Sequence, residues 1–179
     1  YSPIAQAALD ARLPLVAANI PAAEARAMAR REPVAPERIA ELSLDQPMSK
    51  GLYADLLDDI RQSHCGMLPE HAVGSMAMAQ RARDGGMARA LVTADQIGPR
   101  DGGVLITGNG HARKDRGVPS VLARLTPQSA TFAVSFFEVQ DDILTPADYP
   151  QTVDALWFTA RTDGEDPCTK MAEHLHKKR

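Results

Sequence analysis

The chain has 179 residues, 44% of them apolar and 24% charged, with a net charge of about −3. That balance suits one globular domain with its own core, and it gives no global electrostatic signal for nucleic acid. No apolar run approaches the roughly 18 residues of a membrane-spanning helix.

Along the chain the pattern alternates strand and helix. Leu13–Ala18 reads as a buried strand that ends at Asn19-Ile20-Pro21, and the alanine-rich stretch after Pro21 suits a helix broken by Pro33. A short helix is predicted from Pro36 to about Leu42. Ser49 caps another through about Arg61, with Leu52, Leu56 and Ile60 as its apolar stripe. His64-Cys65-Gly66 forms a turn. The longest helix is predicted from about Pro69 to Leu91, its core face formed by Val73, Met76, Ala77, Gln80, Asp84, Met87 and Leu91. Two polar residues on that face require a partner or a ligand, since an unpartnered buried carboxylate costs several kcal/mol. An internal Arg83–Asp84 pair is one reading, and a ligand cavity is the other. Gly85-Gly86 implies close approach of another group or a kink, because each glycine costs a helix roughly 1 kcal/mol relative to alanine.

The most informative stretch is Val104-Leu105-Ile106-Thr107 followed by Gly108-Asn109-Gly110-His111. A short β-branched run after Asp101-Gly102-Gly103 reads as a buried strand, and the glycines let the backbone turn and approach a ligand. A histidine at the carboxyl end of a strand in an α/β sheet stands where ligands bind, and it can hold a metal, accept a proton or pair with an anion. The following loop carries Arg113, Lys114, Asp115 and Arg116, and Pro119 opens a helix to about Leu125. Strands are predicted over 130–139 and 154–159, with a loop over 141–150. The tail over 161–179 is polar, with His174, His176 and the closing Lys177-Lys178-Arg179 read as an exposed, frayed end. The fold class is therefore α/β, with a mixed or parallel central sheet flanked by helices, in a single domain over 1–179. Cys65 and Cys168 both lie in loop-like contexts. By residue type alone they read as two buried thiols or as a bridge.

Three stretches, His64-Cys65-Gly66-Met67-Leu68-Pro69, Ala79–Ala88 with its Arg-Asp-Gly-Gly-Met-Ala core, and Gly108–His111 through Gly117-Val118-Pro119, together resemble the ChaN family of iron-regulated, haem-binding uptake lipoproteins. Those proteins belong to the wider Tiki/TraB superfamily, marked by a Gly-x-x-His motif. Ala18-Asn19-Ile20-Pro21 and Asp166-Pro167-Cys168 extend the likeness toward both ends. The family also carries an earlier strand ending in a Gly-Glu-x-His motif, which this sequence lacks. The chain is therefore expected to correspond to the C-terminal two-thirds of the domain.

The resemblance implies a haem or iron-complex ligand in an uptake system of the bacterial envelope. The expected location is periplasmic or anchored to the outer membrane by an upstream lipid. Carried over by motif, the ligand-binding residues are Gln80, Arg83, Asp84, Asn109 and His111. Met76 and Met87 are expected to supply apolar surface, and Arg113, with Lys114, Arg116 and Arg83, to pair with haem propionates. The axial ligand stays open between His111 and Tyr1, Tyr53 or Tyr149. A homodimer is expected to close the wet face of the haem. An envelope location also favours a Cys65–Cys168 disulfide. The other reading the superfamily implies is a metal-dependent hydrolase.

Overall fold

The computed structural model describes residues 1–95, 102–140, 143, 145–162, 164 and 166–176. In chain order, the helices are α1 (Ser2–Asp10), α2 (Ala22–Ala29), α3 (Pro36–Glu41), α4 (Lys50–Ser63), α5 (Glu70–Asp95), α6 (Asn109–Ala112), α7 (Val118–Leu125) and α8 (Pro167–His176). The strands are β1 (Val134–Glu138) and β2 (Ala155–Thr159), with a 3-10 turn at Pro146–Asp148 between them.

The 26-residue helix α5 is the spine of the molecule, about 39 Å long at 1.5 Å per residue. Three apolar clusters line it in sequence order. Leu56 and Ile60 of α4 pack on Val73 and Ala77 near its start. Ile20, Ala25, Met28 and Leu42 pack on Ala79 and Ala82 at its middle. Val118 and Val121 of α7 pack on Met87 and Ala88 toward its end. Small residues at Ala77, Ala79, Ala82 and Ala88 allow these neighbours to come close, and Gly85 and Gly86 take that furthest. A Cβ on Gly85 would lie 2.1 Å from the Leu42 carbonyl oxygen, and one on Gly86 would lie 2.4 Å from Ile20 Cγ2. The paired glycines thus mark close approach of the chain itself. As predicted, Ser49 caps α4, its Oγ accepting from Leu52 N at 3.2 Å.

β1 and β2 pair in parallel, with Phe136 opposite Trp157 and Phe137 opposite Phe158. Phe136 and Trp157 point outward and are largely exposed. On the other face Tyr149 is buried between Phe137 and Phe158, at ring-centroid distances of 5.3 and 4.8 Å. The parallel pairing agrees with the predicted class, but the predicted central sheet is reduced to these two strands among the described residues, and the core is helical.

The expected strands at 13–18 and 104–107 do not form. Both segments lack a ladder partner among the described residues, and an extended chain without one is not a strand. Residues 104–107 keep a strand's alternation. Leu105 packs beside α5 and α7, while Val104 and Ile106 face outward. Three helices exceed the sequence reading, α1, the single turn α6 and α8. α1 was not anticipated, and it buries no residue. α8 occupies the tail expected to be frayed. Asp166 starts it by accepting from Cys168 N at 3.0 Å, and Pro167 takes the first turn. The side chains of His174 and His176, and residues 177–179, lie outside the described residues, as do Asp101, Asp141 and Asp142. A disulfide joins Cys65, at the end of α4, to Cys168 in α8 across a sequence separation of 103.

Candidate functional site

The extended segment 104–107 leads into α6, a single helical turn that carries His111. The backbone at Gly108 is ordinary extended chain, with φ of −74°, so no unusual conformation calls for glycine there. A Cβ on Gly110 would lie 3.4 Å from the Gln80 amide nitrogen, and one on Gly108 would lie 4.0 Å from the His111 ring.

His111 Nδ1 lies 2.7 Å from Asp84 Oδ1 and 3.2 Å from Gln80 Nε2. Gln80 and Asp84 are one turn apart on α5, so one helix face presents both to the ring. A single ring nitrogen cannot donate to the carboxylate and accept from the amide at the same time. With Asp84 ionised, Nδ1–H donates to it. With Asp84 protonated, Nδ1 is free to accept. Burial pushes the Asp84 carboxyl up to about 6, and the hydrogen bond and charge of His111 oppose that rise. Asp84 and His111 side chains are 5% and 16% exposed. His111 Nε2 has no hydrogen-bond partner among the described residues.

The remaining predicted residues stand apart from this triad. Asn109 donates to the Phe136 carbonyl at 2.8 Å and so ties α6 to β1. Met87 is buried in the α5–α7 core, where its sulfur accepts from Thr107 Oγ1 at 3.3 Å. Arg113 is held by Asp115 through Nε and Nη2, at 3.0 and 2.7 Å, and by Asp59 through Nη1, at 3.2 Å. Lys114 is paired with Asp154, and Arg116 with Asp59. Arg83 makes no ion pair or hydrogen bond among the described residues, and the buried partner of Asp84 is His111. Of the tyrosines, Tyr149 is buried and accepts from Gln140 N at 3.1 Å, whereas Tyr1 and Tyr53 are exposed.

A cleft of about 110 Å³ lies next to the triad. Its wall is Asp84, with Arg81 of α5, Arg116, Ser120 and Arg124 around α7, and Leu42 and Ser49 from the α3–α4 connection, and His111 is not part of it. His111 turns toward Asp84 and Gln80. Arg81 and Arg124 had not been singled out in the sequence. Arg81 had one available signal, since it stands three residues before Asp84 on the same helix face.

The chain belongs to the family of haem-binding uptake proteins of the Tiki superfamily, ChaN, whose model matches residues 1–122. The match takes in α1–α5, α6 and the start of α7, with Gln80, Asp84 and His111 inside it. It falls on the N-terminal part of the chain, so the expected correspondence to the C-terminal two-thirds of the domain gains no support from it. Comparison with curated proteins and with solved structures finds no match.

Proposed function

We propose that this protein binds haem in an envelope haem- or iron-uptake system, with His111 as the axial ligand. The observation that carries the proposal is the free Nε2 of a histidine whose Nδ1 is held by a buried carboxylate. Metal-bound histidines use this arrangement, in which the carboxylate fixes the tautomer and ring orientation and raises the basicity of the coordinating nitrogen. Family membership supplies the ligand class.

The remaining residues fit haem in part. Haem needs an apolar surface wider than a 110 Å³ cleft, since pockets for drug-sized ligands run from about 300 Å³ upward. The exposed Phe136 and Trp157 belong to the sheet whose first strand abuts α6, and they supply apolar surface on that side. Surface of this kind leaves one haem face wet, and a second subunit or an upstream segment would cover it. Among the cations the resemblance assigns to the propionates, Arg83 has no carboxylate partner among the described residues and is the natural contact. The Cys65–Cys168 bridge is consistent with an envelope location. When bound, the iron supplies the ligation chemistry, and the protein's part is to present one oriented imidazole.

The triad also supports a second reading, as a hydrolase. A histidine oriented by a carboxylate, with its second nitrogen free, is a general-base arrangement. The described residues contain no group of three or more His, Cys, Asp or Glu side chains able to hold a metal ion.

Titration with haem, with the mass in solution followed in parallel, tests the proposal. The wild type is expected to shift the Soret band, and His111→Ala to bind at least about tenfold more weakly with an altered band. Failure of the wild type to bind haem overturns the reading. An unchanged spectrum in His111→Ala would move the ligand to Tyr1 or Tyr53.

A further inference from the structure

The cleft beside Asp84 contains buried hydrogen-bonding capacity that the protein does not use. Arg116 is 6% exposed and lines the cleft. Its Nη2 is paired with Asp59, which also accepts from Arg113. Its Nε and Nη1 are buried and have no hydrogen-bond partner. Buried guanidinium donors are almost always satisfied, because leaving them bare forfeits their hydration without return.

Two further guanidiniums line the same cleft. Arg81 is anchored by Nη2 to the carbonyls of Leu44 and Gln46, at 3.3 and 2.6 Å. Arg124 of α7 is exposed and has no ion pair among the described residues. Burial presses the Arg81 and Arg116 guanidiniums below their usual range, the direction expected of under-compensated positive charge. Ser49 accepts from Leu52 N, so its own O–H remains available to donate. Two carboxylates line the cleft as well. Asp115 is committed to Arg113, and Asp84 faces His111. The wall thus keeps an excess of donors and of positive charge.

We propose that this cleft is a binding site for an oxyanion, the phosphate or carboxylate group of a small ligand, held by Arg116 with Arg124 and the anchored Arg81. A volume of about 110 Å³ holds a tetrahedral oxyanion or a carboxylate with a short stem, a few times the roughly 30 Å³ of a water molecule. It does not hold a porphyrin. The site is therefore separate from the haem surface proposed above and does not depend on it. Asp84 is the element they share, one wall of the cleft and the partner of His111.

The test is calorimetric titration of the whole chain at low ionic strength with inorganic phosphate and, separately, with acetate. Saturable binding of at least one ion is expected. Phosphate alone would identify a phosphate-bearing ligand, and acetate binding as tightly would identify an organic acid. Arg116→Met is expected to abolish binding with little change in the melting temperature of the anion-free protein, because two of its three guanidinium nitrogens are already unsatisfied and Asp59 keeps Arg113 as a partner. Arg124→Gln, on an exposed helix position where folding is not at risk, is expected to weaken binding about tenfold. Absence of saturable binding by either ion, or binding left intact by Arg124→Gln and Arg116→Met alike, overturns the proposal.

Discussion

The first 125 residues and the segment from β1 to α8 are held together by different forces. The helical body packs three apolar clusters against α5, and the buried Asp84 on that helix is partnered by His111, with the half-buried Gln80 beside them. The later segment has a two-stranded sheet with an aromatic pair turned to solvent, at a centroid distance of 6.2 Å. It is fastened to the body by discrete links. Among the described residues they include the Cys65–Cys168 bridge, the Lys114–Asp154 pair, the Lys114 N–H to the Thr152 carbonyl, and Asn109 to the Phe136 carbonyl. Apolar packing is diffuse and tolerates single losses, whereas a tethered segment depends on each tether. The family match ends at residue 122, close to where the packed body ends.

The sharpest way to break this contrast is to remove the covalent tether. Closing a loop of about 100 residues stabilises a fold by roughly 4–5 kcal/mol in the chain-entropy model. Cys168→Ser is therefore expected to cost about 2–5 kcal/mol. The loss should be uneven. Backbone amides of β1, β2 and α8 should lose hydrogen-exchange protection first, while those of α5 between 77 and 88 stay protected. Uniform loss across both regions would show that the two form one cooperative unit.

The same contrast explains what was legible in the sequence. The helices of the body were readable from periodicity and caps, because their burial is decided locally by spacing along α5. Ser49, Pro36 and Pro119 each stand where the structure starts a helix. The juxtaposition of Asp84 with His111 was also within reach, since a buried carboxylate on an apolar stripe demands a partner. Arg83 was the wrong candidate because an adjacent residue points about 100° away around the helix. The strands at 13–18 and 104–107 were misread because composition reports apolar character, but neither burial nor a neighbouring strand to complete a ladder: Leu13, Leu15, Val16, Val104 and Ile106 are exposed. The cleft was illegible because Arg81, Arg116 and Arg124 meet through the packing of α7 on α5, which no local pattern encodes. The Asp166-Pro167 start of α8 carried a helix signal that the polar tail composition masked.

Acidity offers a second break, this time inside the body. Asp84 has its carboxyl raised from 3.8 to about 6 by burial. The folded protein therefore binds this proton more tightly than the unfolded chain does. Its contribution is fully present below the unfolded value and is lost as pH rises through about 6. The loss on going from about pH 4 to neutral pH is on the order of 3 kcal/mol, at 1.36 kcal/mol per unit. Asp84→Asn cannot ionise, so it should flatten the pH dependence of the melting temperature between about 4 and 7. A wild-type slope that survives the substitution would assign the titration to another group. The linked sheet segment should show no such slope of its own.

The smallest effect, and the most local, is predicted at Gly85. A methyl group there would sit 2.1 Å from the Leu42 carbonyl oxygen and 2.7 Å from its carbon. Both are backbone atoms, which cannot rotate away as a side chain can. Helix propensity favours alanine by roughly 1 kcal/mol, and the overlap must outweigh that gain. Overpacking of this kind costs typically about 1–3 kcal/mol, so Gly85→Ala is expected to destabilise by about 1–2 kcal/mol net. Gly51, on the exposed side of α4 with nothing near its would-be Cβ, is the control, and Gly51→Ala should be neutral or stabilising. Because Leu42 also lines the cleft, the displacement in Gly85→Ala should weaken oxyanion binding while the hydrogen-exchange protection of β1 and β2 stays as in the wild type. Matched losses in the sheet would mean that strain in the body crosses the links, and that the division between packed body and tethered segment is not a division in cooperativity.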